Sequence, residues 1–373
     1  MGSGQSKPGE AQVELVDLTN LAVGDPDASF AGSPSLEIVP CEEGQVLVIA
    51  YEANDGATYE GAPRQHIRFS TSFDGGMTWT PSVAPAWGLA PCWGPALFWD
   101  ASRLRLLLFY SESRKCLSRG GDVKMMISED LGSTWSGPEV VFSHEEMGEV
   151  PKVTSNRPTM DADGALYLPI HLEPEGSHAT FNASTRSELE ELDATGLAPE
   201  PPPGSREQSL VTSALLLKSS DGGITWRKLP SLEDANHWVI QPSVEALGDG
   251  KLVCLLRTGA GRVYVARSAD GGQTWTRPTS TSLPNPNSKV ATTYLFGQLL
   301  MAHNSSTKAR TPLALSISVD GGRGWTHLAT IDEEEDAASP SIVLWGEDEV
   351  KVAYCVDERR LRIAFVRLEV ERV

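Results

Sequence analysis

The eight residues SADGGQTW, Ser268 to Trp275, decide the fold, because their pattern occurs five times in the 373-residue chain. Asp can accept hydrogen bonds from backbone N–H groups of its own turn, Gly can adopt positive φ, and Trp can pack between sheets. The pattern S-x-D-x-G-x-T-W therefore predicts five β-hairpin turns in which the aspartates are structural. The other copies are SFDGGMTW (72–79), SEDLGSTW (128–135), SSDGGITW (219–226) and SVDGGRGW (318–325), and the five aspartates are Asp74, Asp130, Asp221, Asp270 and Asp320.

Each turn ends a longer repeat of short apolar segments. A short strand precedes the turn, a strand usually opened by glycine precedes that, and a proline leading into a further apolar strand comes first. Repeats of tens of residues built from short strands are typical of propellers. The sequence therefore predicts an all-β fold, a six-bladed β-propeller with five Asp-box hairpins. The six prolines are Pro34, Pro95, Pro158, Pro242, Pro286 and Pro340.

The two ends of the chain are expected to share the last blade. The sixth unit has no Asp-box turn and no sequence left for a fourth strand, which a strand from about Gln12 to Val16 would supply. We assign residues 1–27 to a flexible N-terminal segment that includes this strand, and residues 28–373 to the propeller. Residues 173–208 are acidic and rich in proline, and we predict a solvated insertion loop there rather than a lid.

Composition limits the classes of partner. A net charge of −19 opposes binding to nucleic acid. Five cysteines without C-x-x-C spacing, and no evident signal peptide, indicate reduced thiols and a cytoplasmic protein. The histidines are scattered without ligand spacing, so we expect no metal site. We also expect a monomer and no cofactor. The start Met1 to Ser6 fits N-myristoylation at Gly2, which would give weak membrane association, or it is simply a flexible terminus.

The repeated turns resemble the Asp-box (BNR) repeats of the sialidase, or neuraminidase, superfamily, over roughly residues 28 to 370. Members of that superfamily are six-bladed propellers that cleave terminal sialic acids. The resemblance implies three arginines that hold the substrate carboxylate, a tyrosine nucleophile with a glutamate partner, and an aspartate acid/base.

Half of these functional positions keep a suitable residue. The resemblance places the second and third arginines at Arg257 and Arg310, and it places the acid/base at Glu60, before Asp74. The other positions depart from the family pattern. Gly32 stands where the first arginine is expected, Gln241 where the glutamate is expected, and Ala338 or Ser339 where the tyrosine is expected.

Residues beside the prolines are expected to face a central funnel, where they could replace the missing functional residues. Arg157 would restore a cluster of three arginines, or would instead pair with an acidic residue across the funnel. Trp93 would stack on a sugar or fill the funnel. The asparagines would bind sugar hydroxyls or backbone turns, and these are Asn156, Asn285 and Asn287.

The sequence favours a sialidase-like glycoside hydrolase that acts on a terminal acidic sugar of a glycan or sialylated glycoconjugate, with Glu60 as the proton donor. One alternative is a non-catalytic glycan-binding propeller, which would explain Gln241 without further assumptions. Another is a hydrolase or lyase for uronic-acid glycans with a rebuilt site and Glu173 as a candidate base.

Overall fold

The computed structural model describes residues 12–17, 30–42, 44–57, 60–88, 90–117, 119–173, 213–346, 348–357 and 360–368. The all-β prediction is confirmed, since these residues form β-strands and one short helical segment, α1 (Glu146–Glu149). Gly2 and residues 174–208 of the predicted insertion lie outside the described residues. The strands are β1 (Gln12–Asp17), β2 (Phe30–Cys41), β3 (Gly44–Asn54), β4 (His66–Ser72), β5 (Val83–Ala86), β6 (Cys92–Asp100), β7 (Arg105–Ser113), β8 (Gly121–Ser128), β9 (Glu139–Phe142), β10 (Lys152–Thr154), β11 (Thr159–Met160), β12 (Leu166–Leu172), β13 (Ala214–Ser219), β14 (Arg227–Lys228), β15 (Val239–Gly248), β16 (Lys251–Thr258), β17 (Arg262–Ser268), β18 (Thr279–Pro284), β19 (Ala291–Leu295), β20 (Gln298–Asn304), β21 (Leu313–Ser318), β22 (Thr326–Asp332), β23 (Ala338–Trp345), β24 (Glu349–Val356) and β25 (Arg360–Arg367).

The strands form antiparallel sheets in which neighbours in sequence are neighbours in space. Strands β2–β5, β15–β18 and β19–β22 each make a four-stranded sheet. Strands β6–β14 make one nine-stranded sheet, because Lys152 pairs with Gly121 and so joins two successive repeats. The last sheet has the order β1-β25-β24-β23, so the strand predicted near the N-terminus pairs with the final strand of the chain.

Serine hydroxyls connect the first strands of neighbouring sheets. Each serine follows a proline, and its Oγ accepts a hydrogen bond from a backbone N–H in the first strand of the next sheet. One of these bonds joins the first and last of the sheets, which lie side by side. The bonds run from Leu97 N to Ser35 Oγ at 2.9 Å, from Thr292 N to Ser243 Oγ at 3.0 Å, and from Leu36 N to Ser341 Oγ at 2.9 Å.

All five Asp-box turns have the same hydrogen bonds around their aspartate. The third strand of a repeat ends at the box serine, whose Oγ donates to the aspartate Oδ1 at 2.8 Å. In four turns the box threonine also donates its hydroxyl to Oδ2. The hydrogen bonds from Thr225 and Thr274 lower the pKa of Asp221 and Asp270 to about 2. The aspartates therefore hold the turns in their ionised form.

The box tryptophans Trp135 and Trp226 pack against the preceding repeat. Trp135 meets Phe69 edge to face with ring centroids 5.3 Å apart, and Trp226 meets Phe109 in the same way at 5.6 Å. Such edge-to-face contacts add specificity to the burial of apolar area between sheets. The turns therefore attach each sheet to its neighbour.

Two repeats depart from the predicted pattern of a proline-led strand. In the third repeat, Ser155 to Pro158 interrupt the first strand, which is split into β10 and the two-residue β11. In the fifth repeat Pro286 lies in a turn, and β19 begins only at Ala291. Proline has no N–H to donate to a strand ladder, which fits the interruption of the strand at both places.

All five cysteines are free thiols in the structure, and four of them are buried. Among the described residues, no helix has both the length and the apolar character that crossing a membrane requires.

The fifth turn allows a test of the box hydrogen bonds. Gly324 has an ordinary backbone φ, and a Cβ added there would lie 3.1 Å from Asp320 Oδ2, where the other turns have threonine. We expect Gly324→Ala to stabilise the protein by about 0.4–1 kcal/mol by restricting the unfolded chain. Gly324→Thr should stabilise it further, because its hydroxyl reaches Asp320. Thermal unfolding of the three proteins measures this, and a threonine variant no more stable than the alanine variant would contradict it.

Candidate functional site

Four first strands contain a bulge directly before their proline. The residue there has a positive φ, and the strand register shifts at the same point. A positive φ is costly for residues other than glycine, and such strain is concentrated at functional sites. At Gly94 no side chain fits, since an added Cβ would lie 1.8 Å from Thr154 O. The other three bulge residues face one cavity, and they are Ser33 (φ 45°), Gln241 (φ 48°) and Ser339 (φ 56°).

The cavity has a volume of about 310 Å³, which is large enough for a small ligand such as one sugar ring. Its wall combines arginines, carboxylates and amides with a few apolar side chains. Several predicted residues therefore meet there, including Glu60, Gln241, Arg257, Asn287 and Arg310. Among the described residues, the lining consists of Phe30, Gly32, Ser33, Glu60, Arg119, Gln241, Arg257, Asn287, Arg310, Asp336, Ala338, Ser339 and Cys355.

Arg257 is held in this wall by two neutral amides. Its Nε donates to Asn287 Oδ1 at 2.7 Å, and its Nη1 donates to Gln241 Oε1 at 2.8 Å. Among the described residues, no carboxylate forms an ion pair with Arg257. Burial, together with the charges of Arg310 and Arg119, lowers the pKa of Arg257 to about 9, so it remains a cation at neutral pH. The cavity is therefore electropositive in an acidic protein.

The third arginine of the cavity is Arg119, which the sequence analysis missed. Its guanidinium donates to the carboxylate of Glu60 and lies over the Trp93 ring, 5.2 Å from the ring centroid. Burial alone would lower the pKa of Arg119, but the charges of Glu60 and Glu173 raise it. A signal for it existed, because Arg119 precedes Asp130 by 11 residues and Arg310 precedes Asp320 by 10.

The Phe30 ring fills the space beside Gly32, where the sequence analysis expected the first arginine. A Cβ added to Gly32 would lie 3.0 Å from Phe30 Cζ, so the phenylalanine ring occupies the space of a side chain there. Arg119 enters the same cavity from another sheet.

Arg157 lies near an acidic residue instead of joining the arginine cluster. Its Nη1 lies 3.7 Å from Glu37 Oε2, and its Nη2 donates to Thr293 Oγ1 at 3.3 Å. Arg157 is not part of the cavity lining. The arginine cluster is therefore Arg119, Arg257 and Arg310 rather than the cluster with Arg157 that the sequence suggested.

Two of the predicted asparagines bond backbone instead of facing the cavity. The Asn156 side chain donates to the carbonyls of Gln241, Pro242 and Val290, at 3.3, 3.0 and 3.1 Å. Asn285 accepts from Ser288 N at 2.8 Å and is fully buried. Trp93 is also outside the lining, 3% exposed, and donates its Nε1 to Ser113 Oγ at 2.6 Å. These three side chains therefore bond other parts of the protein and do not line the cavity.

Glu52 lies behind Glu60 and is 2% exposed. Its Oε1 accepts from Gly94 N at 2.6 Å. Burial and the nearby charge of Glu60 raise the pKa of Glu52 to about 8, so this carboxyl is protonated at neutral pH.

Glu173 and His171 form a second buried pair close to the arginines. Glu173 Oε2 lies 3.4 Å from His171 Nε2, and both residues are at most 2% exposed. Burial lowers the pKa of His171, so the ring is neutral. Glu173 is not among the described lining residues, and its charge acts on both Arg119 and Arg257.

The chain matches one family model, described as a BNR repeat-like domain, over residues 45–354. No curated protein matches its sequence significantly.

Solved structures share the fold at low sequence identity. A Hadza microbial sialidase has a TM-score of 0.74 at 18% identity, with 93% of this chain and 67% of that chain covered. A protein of unknown function from Dyadobacter fermentans has a TM-score of 0.70 at 16% identity, with 97% and 99% covered. Trypanosoma rangeli sialidase in complex with the inhibitor DANA has a TM-score of 0.65 at 15% identity, with 92% covered. This chain spans only 55% of that sialidase's length.

The buried Glu52 carboxyl should make stability depend on pH. Between its usual pKa of 4.5 and about 8, the folded state binds a proton that the unfolded state does not. The free energy of unfolding therefore falls as pH rises through this window. Glu52→Gln removes this loss. The free energy of unfolding of the variant, relative to that of the wild type, should therefore rise from pH 5 to pH 8 by on the order of a few kcal/mol.

Urea unfolding at pH 5, 6.5 and 8 measures this difference, and Glu139→Gln on exposed β9 is the control. A constant difference between Glu52→Gln and the wild type across this range would show that Glu52 is ionised throughout.

Proposed function

Because this chain belongs to the BNR repeat-like domain family of the sialidase superfamily, we propose that it is a six-bladed β-propeller that binds a terminal acidic sugar and hydrolyses its glycosidic bond. The observation that carries this proposal is the meeting of Arg119, Arg257 and Arg310 in one sugar-sized cavity.

A carboxylate on the sugar ring is the ligand group that this cavity favours. Guanidinium groups bind carboxylates through paired, charge-assisted hydrogen bonds. Arg257 has neutral amide partners among the described residues, and the neighbouring positive charges make it a less favourable cation. A bound anion would relieve this repulsion. The ligand class is therefore a sialic or uronic acid at the end of a glycan.

Glu60 and Asp336 are the carboxylates among the lining residues, and we assign them the two proton transfers of an inverting hydrolysis. A water oxygen attacks the anomeric carbon while the bond from that carbon to the leaving oxygen breaks. Glu60 gives its proton to the leaving oxygen, and Asp336 takes a proton from the water. A sugar carboxylate drawn to Arg119 would compete with Glu60 for that guanidinium.

A direct attack by water fits the residues that replace the usual nucleophile pair. Ala338 and Ser339 offer no phenol, and the Gln241 amide cannot take up a proton. Gln241 instead orients Arg257.

The hydrogen bond between Gln241 and Arg257 also favours the second candidate function, a propeller that binds an acidic glycan without cleaving it. In that case Glu60 serves only to orient Arg119.

Arg257→Ala should weaken binding of N-acetylneuraminate or glucuronate, whichever the wild type binds, by about 10- to 100-fold, the cost of losing charge-assisted hydrogen bonds. Isothermal titration calorimetry measures the dissociation constant. Arg367→Ala, on the exposed end of β25, is the matched control. The methyl ester of the same sugar should bind the wild type as weakly as the acid binds Arg257→Ala. Equal affinity of acid and ester would remove the carboxylate from the recognition.

Glu60→Gln should retain binding of the acidic sugar within a few-fold and lose at least 100-fold in kcat, since general acid catalysis typically contributes about 10²–10⁴-fold. Asp336→Asn should show the same pattern. Release of aglycone from 4-methylumbelliferyl sialoside and glucuronide measures kcat, and NMR of the first product reports whether the anomeric configuration inverts. Retention of configuration would contradict the inverting assignment, and binding without turnover on either substrate would support the non-catalytic candidate.

A further inference from the structure

Trp87 presents an exposed aromatic surface on the cavity side of the first sheet. It follows directly after β5 and is 53% exposed. Its ring stacks on His66, with ring centroids 4.1 Å apart and planes inclined by 32°. The exposed part of the tryptophan ring is an apolar surface that a ligand could contact.

His66 holds Trp87 in a fixed orientation. His66 Nε2 accepts a hydrogen bond from Arg68 Nε at 3.1 Å, so Nδ1 carries the proton and donates to Arg64 O at 2.9 Å. Burial lowers the pKa of His66, which keeps the ring neutral. Arg68 is fixed in turn by an ion pair with Asp55 at 2.8 Å. The tryptophan therefore rests on a rigid support, and little entropy would be lost when a ligand binds.

Strand register fixes the distance from Trp87 to the cavity. Gly32, which lines the cavity, pairs with Glu52, Glu52 pairs with Ile67, and Ile67 pairs with Ala86. These residues form one row across the sheet, and Ala86 is directly followed by Trp87. Three strand spacings correspond to about 14 Å. A short oligosaccharide that begins in the cavity spans this distance.

The loop between β3 and β4 connects the cavity with the support of Trp87. It contains Glu60 at the cavity and ends at His66 beneath Trp87. Gln65 fixes the loop, because its Oε1 accepts from Gly61 N at 2.6 Å and its Nε2 donates to Cys92 O at 2.9 Å. Trp87 therefore lies on the side of the cavity where Glu60 would meet the leaving group.

Polar side chains border the tryptophan on the neighbouring sheet. A Cβ added to Gly88 would lie 3.1 Å from Glu112 Oε1, so Glu112 adjoins the Trp87 loop. Glu112 also pairs with Lys124 at 2.5 Å. An aromatic face beside paired polar groups matches a sugar ring, which has an apolar C–H face and hydroxyls around its edge.

We propose that Trp87 is a stacking platform for a neutral sugar ring on the leaving-group side of the acidic sugar. This inference rests on the proposed function, since it extends the glycan held in the arginine cavity. The platform selects glycans of at least two or three sugars over the free acid.

The test compares an acidic monosaccharide with an oligosaccharide that carries the same acid. The probes are N-acetylneuraminate with 3′-sialyllactose, and galacturonate with trigalacturonate, and calorimetry gives the dissociation constants. Trp87→Ala should weaken binding of the longer probe about 5- to 20-fold and leave the monosaccharide unchanged. Trp87→Phe should recover most of the loss. Saturation-transfer NMR should show the neutral lactose protons of sialyllactose in contact with the wild type and not with Trp87→Ala.

Phe296→Ala is the matched control. Phe296 is 79% exposed at the β19–β20 turn, at the end of these strands opposite to Asn287 and Arg310. Binding of the longer probe that is unaffected by Trp87→Ala, or a loss equal for both probes, overturns the platform and leaves the arginine cavity standing. A wild type that binds no acidic sugar overturns the proposed function and the platform with it.

Discussion

The site depends on a backbone constraint in the first strand of four repeats. Proline cannot donate to the ladder, and the strand bulges directly before it. The bulge turns residues at the strand's beginning toward the cavity, at the cost of a positive φ at Ser33, Gln241 and Ser339. The serine just after each of these three prolines accepts a hydrogen bond from the first strand of a neighbouring sheet, so the strained segments are held from that sheet.

The second requirement is a balance of charge around the arginines. Three guanidinium groups in one cavity repel each other, and burial increases that cost. Glu60 contacts Arg119 directly, and the charge of Glu173 acts on Arg119 and Arg257. These negative charges stabilise the buried guanidinium groups. This arrangement allows a cationic cavity in a protein with a net charge of −19.

The fold and part of the site were predictable from sequence, for different physical reasons. The Asp-box turns are local, so their residues alone determine their hydrogen bonds, and the superfamily resemblance was correct. Arg257, Arg310 and Glu60 were found because they keep a fixed spacing to those turns. Arg157 and Asn156 were placed by chain position only, and partners distant in sequence, Glu37 and Val290, decide their contacts. Arg119 was missed although its spacing to Asp130 resembles that of Arg310 to Asp320, and its contact with the Trp93 ring joins residues that the repeat pattern does not relate.

The pairing of β1 with β25 has a consequence for how copies of the protein meet. Without β1, the final strand would present a row of unpaired N–H and C=O groups, which is a template for strands of other molecules. The first strand of the chain thus shields the last from intermolecular β-pairing. Loss of β1 would therefore appear first as aggregation, independently of the chemistry of the arginine cavity.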